Sequence, residues 1–146
     1  MKHFLTILFG VLCFGLAQAQ HWQDSFDDAL SAASQEDKPI VLVFSGSDWC
    51  GPCIRFKRNI LDSDEFLEYA DEHYVLFNAD FPKKKKNQLS PEKLNRNKSL
   101  FEAYNPKGHF PLVVVLDKEK SVLGTTGFNK KASPSDYILL LNGFVQ

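Results

Sequence analysis

Apolar residues recur along this chain at two spacings. After Asp24-Ser25, residues Phe26, Ala29, Leu30 and Ala33 fall at i, i+3, i+4 and i+7, which predicts a short amphipathic helix with acids in its first turn. Pro39 stops that helix, and Ile40 to Phe44 (IVLVF) is an unbroken β-branched and aromatic run. Such a run suits a strand buried on both faces, as in a central parallel sheet. Cys53, Phe56, Lys57 and Ile60 then share one face of a helix that opens near Pro52, where the missing N–H is no loss. Ser63 to Glu72 predicts a further helix, and Tyr74 to Ala79 (YVLFNA) a second inner strand.

Residues 82–98 form a polar insert, within which Ser90-Pro91-Glu92 opens a helix that ends near Tyr104. Asn105-Pro106-Lys107-Gly108 reads as a turn. Leu112 to Leu116 (LVVVL) is a third apolar strand, and Ser121 to Thr125 a fourth, half-polar one. Ser133 caps the last helix with Pro134 at its first position, and Tyr137, Leu140, Leu141 and Phe144 give that helix a side to bury. Strands alternating with helices imply parallel pairing, and two close final strands imply an antiparallel pair. The fold class is therefore α/β with a mixed sheet, and neither a repeat nor a second domain is visible.

Composition narrows the function without naming it. With 146 residues, 44% of them hydrophobic, the chain is long enough for one ordinary core. A net charge of −1 carries no signal for nucleic acid or a membrane surface. The first nineteen residues stand apart: Lys2 is a short positive region, Phe4 to Leu16 is apolar, and Ala17-Gln18-Ala19 fits a small-residue cleavage site. The apolar stretch is too short to span a bilayer core of about 30 Å. Leu12 is bulky where lipid attachment at Cys13 wants a small neighbour, so residues 1–19 read as a cleaved secretory signal and residues 20–146 as one domain. An exported chain meets an oxidising compartment, where paired thiols form disulfides.

Removing the signal leaves two cysteines, in the stretch Trp49-Cys50-Gly51-Pro52-Cys53. They sit between the end of a buried strand and the start of a helix, where unpaired amides and the helix dipole favour an anion. The thiolate is the anion on offer and also the nucleophile, which assigns attack on a partner's disulfide to Cys50 and resolution to Cys53. Lowering a thiol pKa from ~8.5 to ~7 raises the thiolate fraction about 16-fold but improves net attack only ~3-fold, because nucleophilicity falls as well. The larger effect is on redox poise, and with no His or Lys between the cysteines the local sequence implies a reducing pair. Other uses of the pair fit less well. A zinc site wants about four ligands, and His21, His73 and His109 are scattered without ligand spacing. Ile54 stands where haem attachment needs histidine. A staple closing so small a ring constrains the unfolded chain little.

Trp49-Cys50-Gly51-Pro52-Cys53 directly after IVLVF resembles the thioredoxin family, as do Gly108-His109-Phe110-Pro111-Leu112 before a strand and Gly124 to Phe128 before the last helix. The resemblance implies a thioredoxin fold, a central mixed four-stranded sheet flanked by helices, with an extra N-terminal helix. It implies a cis Pro111 against the sulfurs, Phe110 presenting backbone groups to an extended substrate, and Trp49, Gly51 and Pro52 as the surrounding contact surface. Reducing members of the family carry an aspartate six residues before the first cysteine. Phe44 stands there by count, and Asp48 and Asp80 are the nearest carboxylates in the chain.

Together these readings give a secreted, periplasmic disulfide reductase acting as a monomer through a redox-active Cys50–Cys53 disulfide. Its substrates are protein disulfides, it needs no metal or cofactor, and a membrane thiol-electron donor recharges it. The alternatives are an oxidant or isomerase, and a non-catalytic binding or chaperone module. Two further features stand unassigned: residues 81–98 carry seven positive charges against Glu92, and Asn97-Lys98-Ser99 fits a glycosylation sequon.

Overall fold

The computed structural model describes residues 21–146, so the secretory segment expected over residues 1–19 lies outside the described residues. A four-stranded sheet in the order β2-β1-β3-β4 carries the molecule, with β1 Ile40–Ser45, β2 Val75–Asp80, β3 Leu112–Leu116 and β4 Val122–Thr126. The helices are α1 Phe26–Glu36, α2 Gly51–Phe56, α3 Asp64–His73, α4 Pro91–Tyr104 and α5 Pro134–Val145. This is the thioredoxin fold, with α1 as the additional N-terminal helix.

β1 pairs on both sides, which is why its apolar run is uninterrupted: Val41 sits opposite Leu76 of β2 and Val115 of β3. The β1–β2 pair is parallel, as alternation with helices implies, but β3 runs antiparallel to β1. Aromatic packing explains the difference. Phe81 directly follows β2, Phe110 lies two residues before the first residue of β3, and their rings lie 5.8 Å apart. The chain leaves and re-enters the sheet at one end, so β3 must run back along β1.

Alternate residues of the strands feed two cores, one on each sheet face. Val41, Val43, Leu76 and Val113 pack with Phe56, Phe66, Tyr137 and Leu141 from α2, α3 and α5. Ile40, Leu42, Phe44 and Phe77 pack with Phe26, Ala29 and Leu100 from α1 and α4. Helix starts follow the sequence signals. Ser25, Ser63, Ser90 and Ser133 each accept an amide from the first turn of their helix, and Ser133 forms a reciprocal box with Asp136.

Two helical faces differ from the spacing. Lys57 does not share the buried face of Cys53 and Phe56; the helix widens into a π turn over Lys57–Leu61, which buries both Ile60 and Leu61 and frees Lys57 to pair with Asp62. On α5, Leu140 is 41% exposed, whereas Tyr137 and Leu141 are buried. The buried stripe of α5 is centred on Tyr137 and Leu141, with Ile138 and Phe144 at its margins.

Candidate active site

β1 delivers the chain to the site. After Ser45 a tight turn forms, in which the Cys50 amide donates to the Gly46 carbonyl at 2.9 Å. Glycine at 46 is required by what covers it: a Cβ there would come within 2.3 Å of the Trp49 indole. That indole is fixed on three sides. Its Nε1 donates to the Phe81 carbonyl at 2.7 Å, Phe110 meets it edge-on at 5.4 Å, and Lys83 Nζ lies 3.9 Å from the ring centroid. Trp49 is nonetheless 39% exposed, and Ile54 is 45% exposed, so the two form an open apolar rim.

Cys50 caps α2, and Cys53 lies one turn in. Their sulfurs are bonded at 2.06 Å with Cα atoms 5.2 Å apart. The Cys53 amide donates to Cys50 Sγ at 3.2 Å, so this sulfur occupies the acceptor position of an N-cap. Negative charge developing on Cys50 would face that amide and the positive end of the helix dipole. Both cysteines are buried, at 5% and 4% exposure.

The β3 approach loop completes the cluster. The Phe110–Pro111 peptide is cis, and Pro111 lines a cavity of about 350 Å³ together with Cys53. Buried Asn105 shapes the loop by exchanging two hydrogen bonds with the His109 backbone at 2.8 and 2.9 Å, and Gly108 adopts φ 70°. The Phe110 ring stacks on Phe101 at 6.1 Å. All seven residues singled out by sequence (Trp49, Cys50, Gly51, Pro52, Cys53, Phe110 and Pro111) thus belong to one corner of the molecule. Asn105 and Gly46 also build it. Asn105 shows only as a turn residue in the sequence, and Gly46 carries no sequence signal of its own.

The cavity corrects one sequence comparison. Counting six residues back from Cys50 gives Phe44, but Phe44 packs on the other sheet face, against Phe101 at 6.3 Å. Strand alternation places its neighbours Val43 and Ser45 in the cavity beside Cys53, with Asn78 of β2. The Ser45 hydroxyl lies 2.8 Å from Asn78 Oδ1 and 3.2 Å from Asp80 Oδ1. Asp80 also accepts the Ser47 amide at 2.8 Å and the Ser47 hydroxyl at 2.5 Å. On the strand side of the cavity the polar groups are therefore hydroxyl and amide, with the Asp80 carboxylate one hydrogen bond behind them, while Lys57, Arg58 and Asp62 line its helix side. Among the described residues no cluster of three or more His, Cys, Asp or Glu side chains could hold a metal ion.

Asp48, next to Trp49, does something its position in the chain does not reveal. Its carboxylate accepts the amides of Lys83 and Lys84 at 2.9 Å each and the Asn87 side-chain amide at 3.0 Å. The Lys83 amide is the main reason its carboxyl is held below the usual range, with Asn87 and Lys84 adding to the effect. Residues 81–90 are thereby folded against the cysteine turn, and α4 begins after them. The sequon reading of Asn97 does not survive: Asn97 is 1% exposed and its amide donates to the Asp80 carbonyl at 2.9 Å.

Comparison with known proteins agrees with this geometry. The model of a thioredoxin-like family matches residues 21–118. The chain is 38% identical over 113 residues to the disulfide bond reductase DsbH of Chlamydia pneumoniae, an alignment spanning 77% of this chain and 66% of that protein. It is 31% identical over 62 residues to the thioredoxin-related protein DsbJ of the same organism, spanning 42% of this chain and 18% of that one. The chain therefore spans just under two thirds of the first curated relative and less than a fifth of the second. A solved DsbH oxidoreductase superposes with a TM-score of 0.78 at 34% identity, covering 85% of this chain and 83% of that one. With a CxxC-type pair at the head of α2 and this sheet beneath it, the chain belongs to the thioredoxin-like family.

Proposed function

We propose that this protein is an exported thiol–disulfide oxidoreductase that reduces protein disulfides in the periplasm, working as a monomer. The observation that carries the reading is the Cys50–Cys53 disulfide, held at the N-terminus of α2 beside Pro111 and rimmed by exposed Trp49 and Ile54. In the reduced protein, Cys50 thiolate attacks one sulfur of the substrate disulfide. A Cys50–substrate bond forms and the substrate's other sulfur leaves as a thiolate that takes up a proton. Cys53 then loses its proton and attacks Cys50 Sγ, which restores the intramolecular disulfide and releases the second substrate thiol. Two electrons pass to the substrate, and an external dithiol donor on the membrane side must return them.

The reducing direction is supported by how little stabilises the Cys50 thiolate. One amide and a short helix are on hand, Gly51 and Pro52 bring no charge between the sulfurs, and the Arg55 guanidinium over Gly51 is exposed, so that water screens it. Lys83 lies over the exposed Trp49 ring, where water screens its charge. Weak stabilisation of the reduced form supports a reducing potential.

The order of attack has a direct test. Cys53→Ser protein, reduced and mixed with a protein disulfide, is expected to accumulate a stable mixed disulfide through Cys50, which mass spectrometry of the trapped species identifies. Turnover at the parental rate by this variant would contradict the resolving role of Cys53.

A further inference from the structure

The insert is built into the rim of the redox pair. Lys83, Lys84, Lys85 and Lys86 are all exposed, and among the described residues none of them lies within ion-pair distance of a carboxylate. A solvated basic loop would leave the cysteine turn alone. Here the two residues immediately before Cys50 organise the run: Asp48 fixes the Lys83 and Lys84 backbone, and Trp49 binds the Phe81 carbonyl and carries the Lys83 ammonium on its ring. A short 3₁₀ turn over Lys85–Asn87 sets the next two lysines. Between the two cysteines the exposed Arg55 guanidinium lies over Gly51, where a Cβ would sit 3.6 Å from Nη1.

The carboxylates that could offset these cations are turned inward. Asp48 is occupied by three donors from the insert, and Asp80 by Ser45 and Ser47. A chain whose net charge is only −1 thus presents a cationic collar at the face where its disulfide is reached.

We propose that this collar recruits protein disulfides whose cystine lies in an acidic segment, with Lys84, Lys85 and Lys86 as the recognition residues. The inference rests on the reductase reading for its chemistry, but the surface itself is a statement about binding. Exposed, unpaired charges of one sign around a site raise encounter rates with an opposite partner by about tenfold or more at low salt, and the gain falls as salt screens them.

Two cystine peptides, identical except for flanking Asp/Glu or Ser/Gln residues, provide the test. Versions with serine for cysteine, fluorescently labelled, report affinity by anisotropy irrespective of turnover. The parental protein is expected to prefer the acidic peptide by roughly tenfold at low ionic strength, with the preference lost by about 0.5 M salt. The triple variant Lys84→Glu, Lys85→Glu, Lys86→Glu is expected to lose the preference while reducing hydroxyethyl disulfide, which is small and uncharged, at the parental rate. Equal affinity of the parental protein for both peptides would overturn the proposal, as would a preference unchanged by salt or retained in the triple variant. Binding to vesicles of anionic phospholipid without binding to the acidic peptide would likewise overturn it, by assigning the collar to a lipid surface. Failure of the parental protein to reduce hydroxyethyl disulfide would sink the reductase reading alone, since the anisotropy still decides the collar.

Discussion

A Cys50→Ser protein is expected to reduce protein disulfides no faster than the uncatalysed exchange with its dithiol donor. Serine keeps the size of the side chain and the acceptor position opposite the Cys53 amide, so α2 retains its cap. It loses the sulfur, and an alkoxide is not formed near neutral pH as a thiolate is. Cys53 does not substitute: it lies one turn into α2, on the cavity lined by Val43 and Pro111, whereas Cys50 holds the cap position where the helix amide and dipole favour a thiolate. Reduction of a fluorescently labelled protein disulfide, with the thermal midpoint measured alongside, separates lost chemistry from lost fold. Activity above background in a folded Cys50→Ser protein would mean that the pair is not the reacting centre.

Phe56→Ala is expected to cost about 3–5 kcal/mol, a large part of the stability of a domain of this size. Phe56 is 1% exposed and lies between the Phe128 ring at 5.4 Å and the Tyr137 ring at 5.0 Å, so its removal leaves a cavity that two rigid neighbours cannot fill. The site shares the damage. Helix α2 has six residues before the π turn, and Phe56 is its last apolar anchor in the core beneath the cysteines. Thermal unfolding followed by circular dichroism is expected to show a midpoint roughly 10–20 °C below the parental protein. A shift of only about 2 °C would mean that the core under α2 is loosely packed and that the cysteine turn is held by other contacts.

How much of this was legible in the chain depended on how far apart the partners are. Ile40 to Phe44 reads as a central strand because burial on both faces removes polar residues from the run itself. Cys50 and Cys53 are legible because the strand, the turn and the helix start all fall within fifteen residues of chain. Ser133 and Asp136 cap α5 with contacts three residues apart, so sequence alone contains them. The less visible features are long-range. Asp48 reads as a surface acid until its partners at Lys83, Lys84 and Asn87 are brought to it. Asn97 reads as exposed until the end of β2 lies against it.

Besides Leu140 on α5, two positions depart from what spacing along the chain implies. The π turn over Lys57–Leu61 inserts a residue into the helical repeat, so the residues after Lys57 leave the 3.6-residue spacing and Ile60 and Leu61 are both buried. Phe44 lies six residues before Cys50, but a strand turns each side chain to the face opposite its neighbour. Its aromatic partner Phe101 lies in α4, far along the chain, and only the fold shows that Ser45 and Val43 occupy the Cys53 side.

The reduction potential of the purified protein, residues 20–146, tests the central claim most directly. Equilibrated against glutathione or dithiothreitol buffers and quantified by thiol trapping, the Cys50–Cys53 pair is expected at or below about −250 mV, in the range of proteins that donate electrons to disulfides. A value above about −190 mV would place the pair among oxidants and isomerases and contradict the reductase assignment.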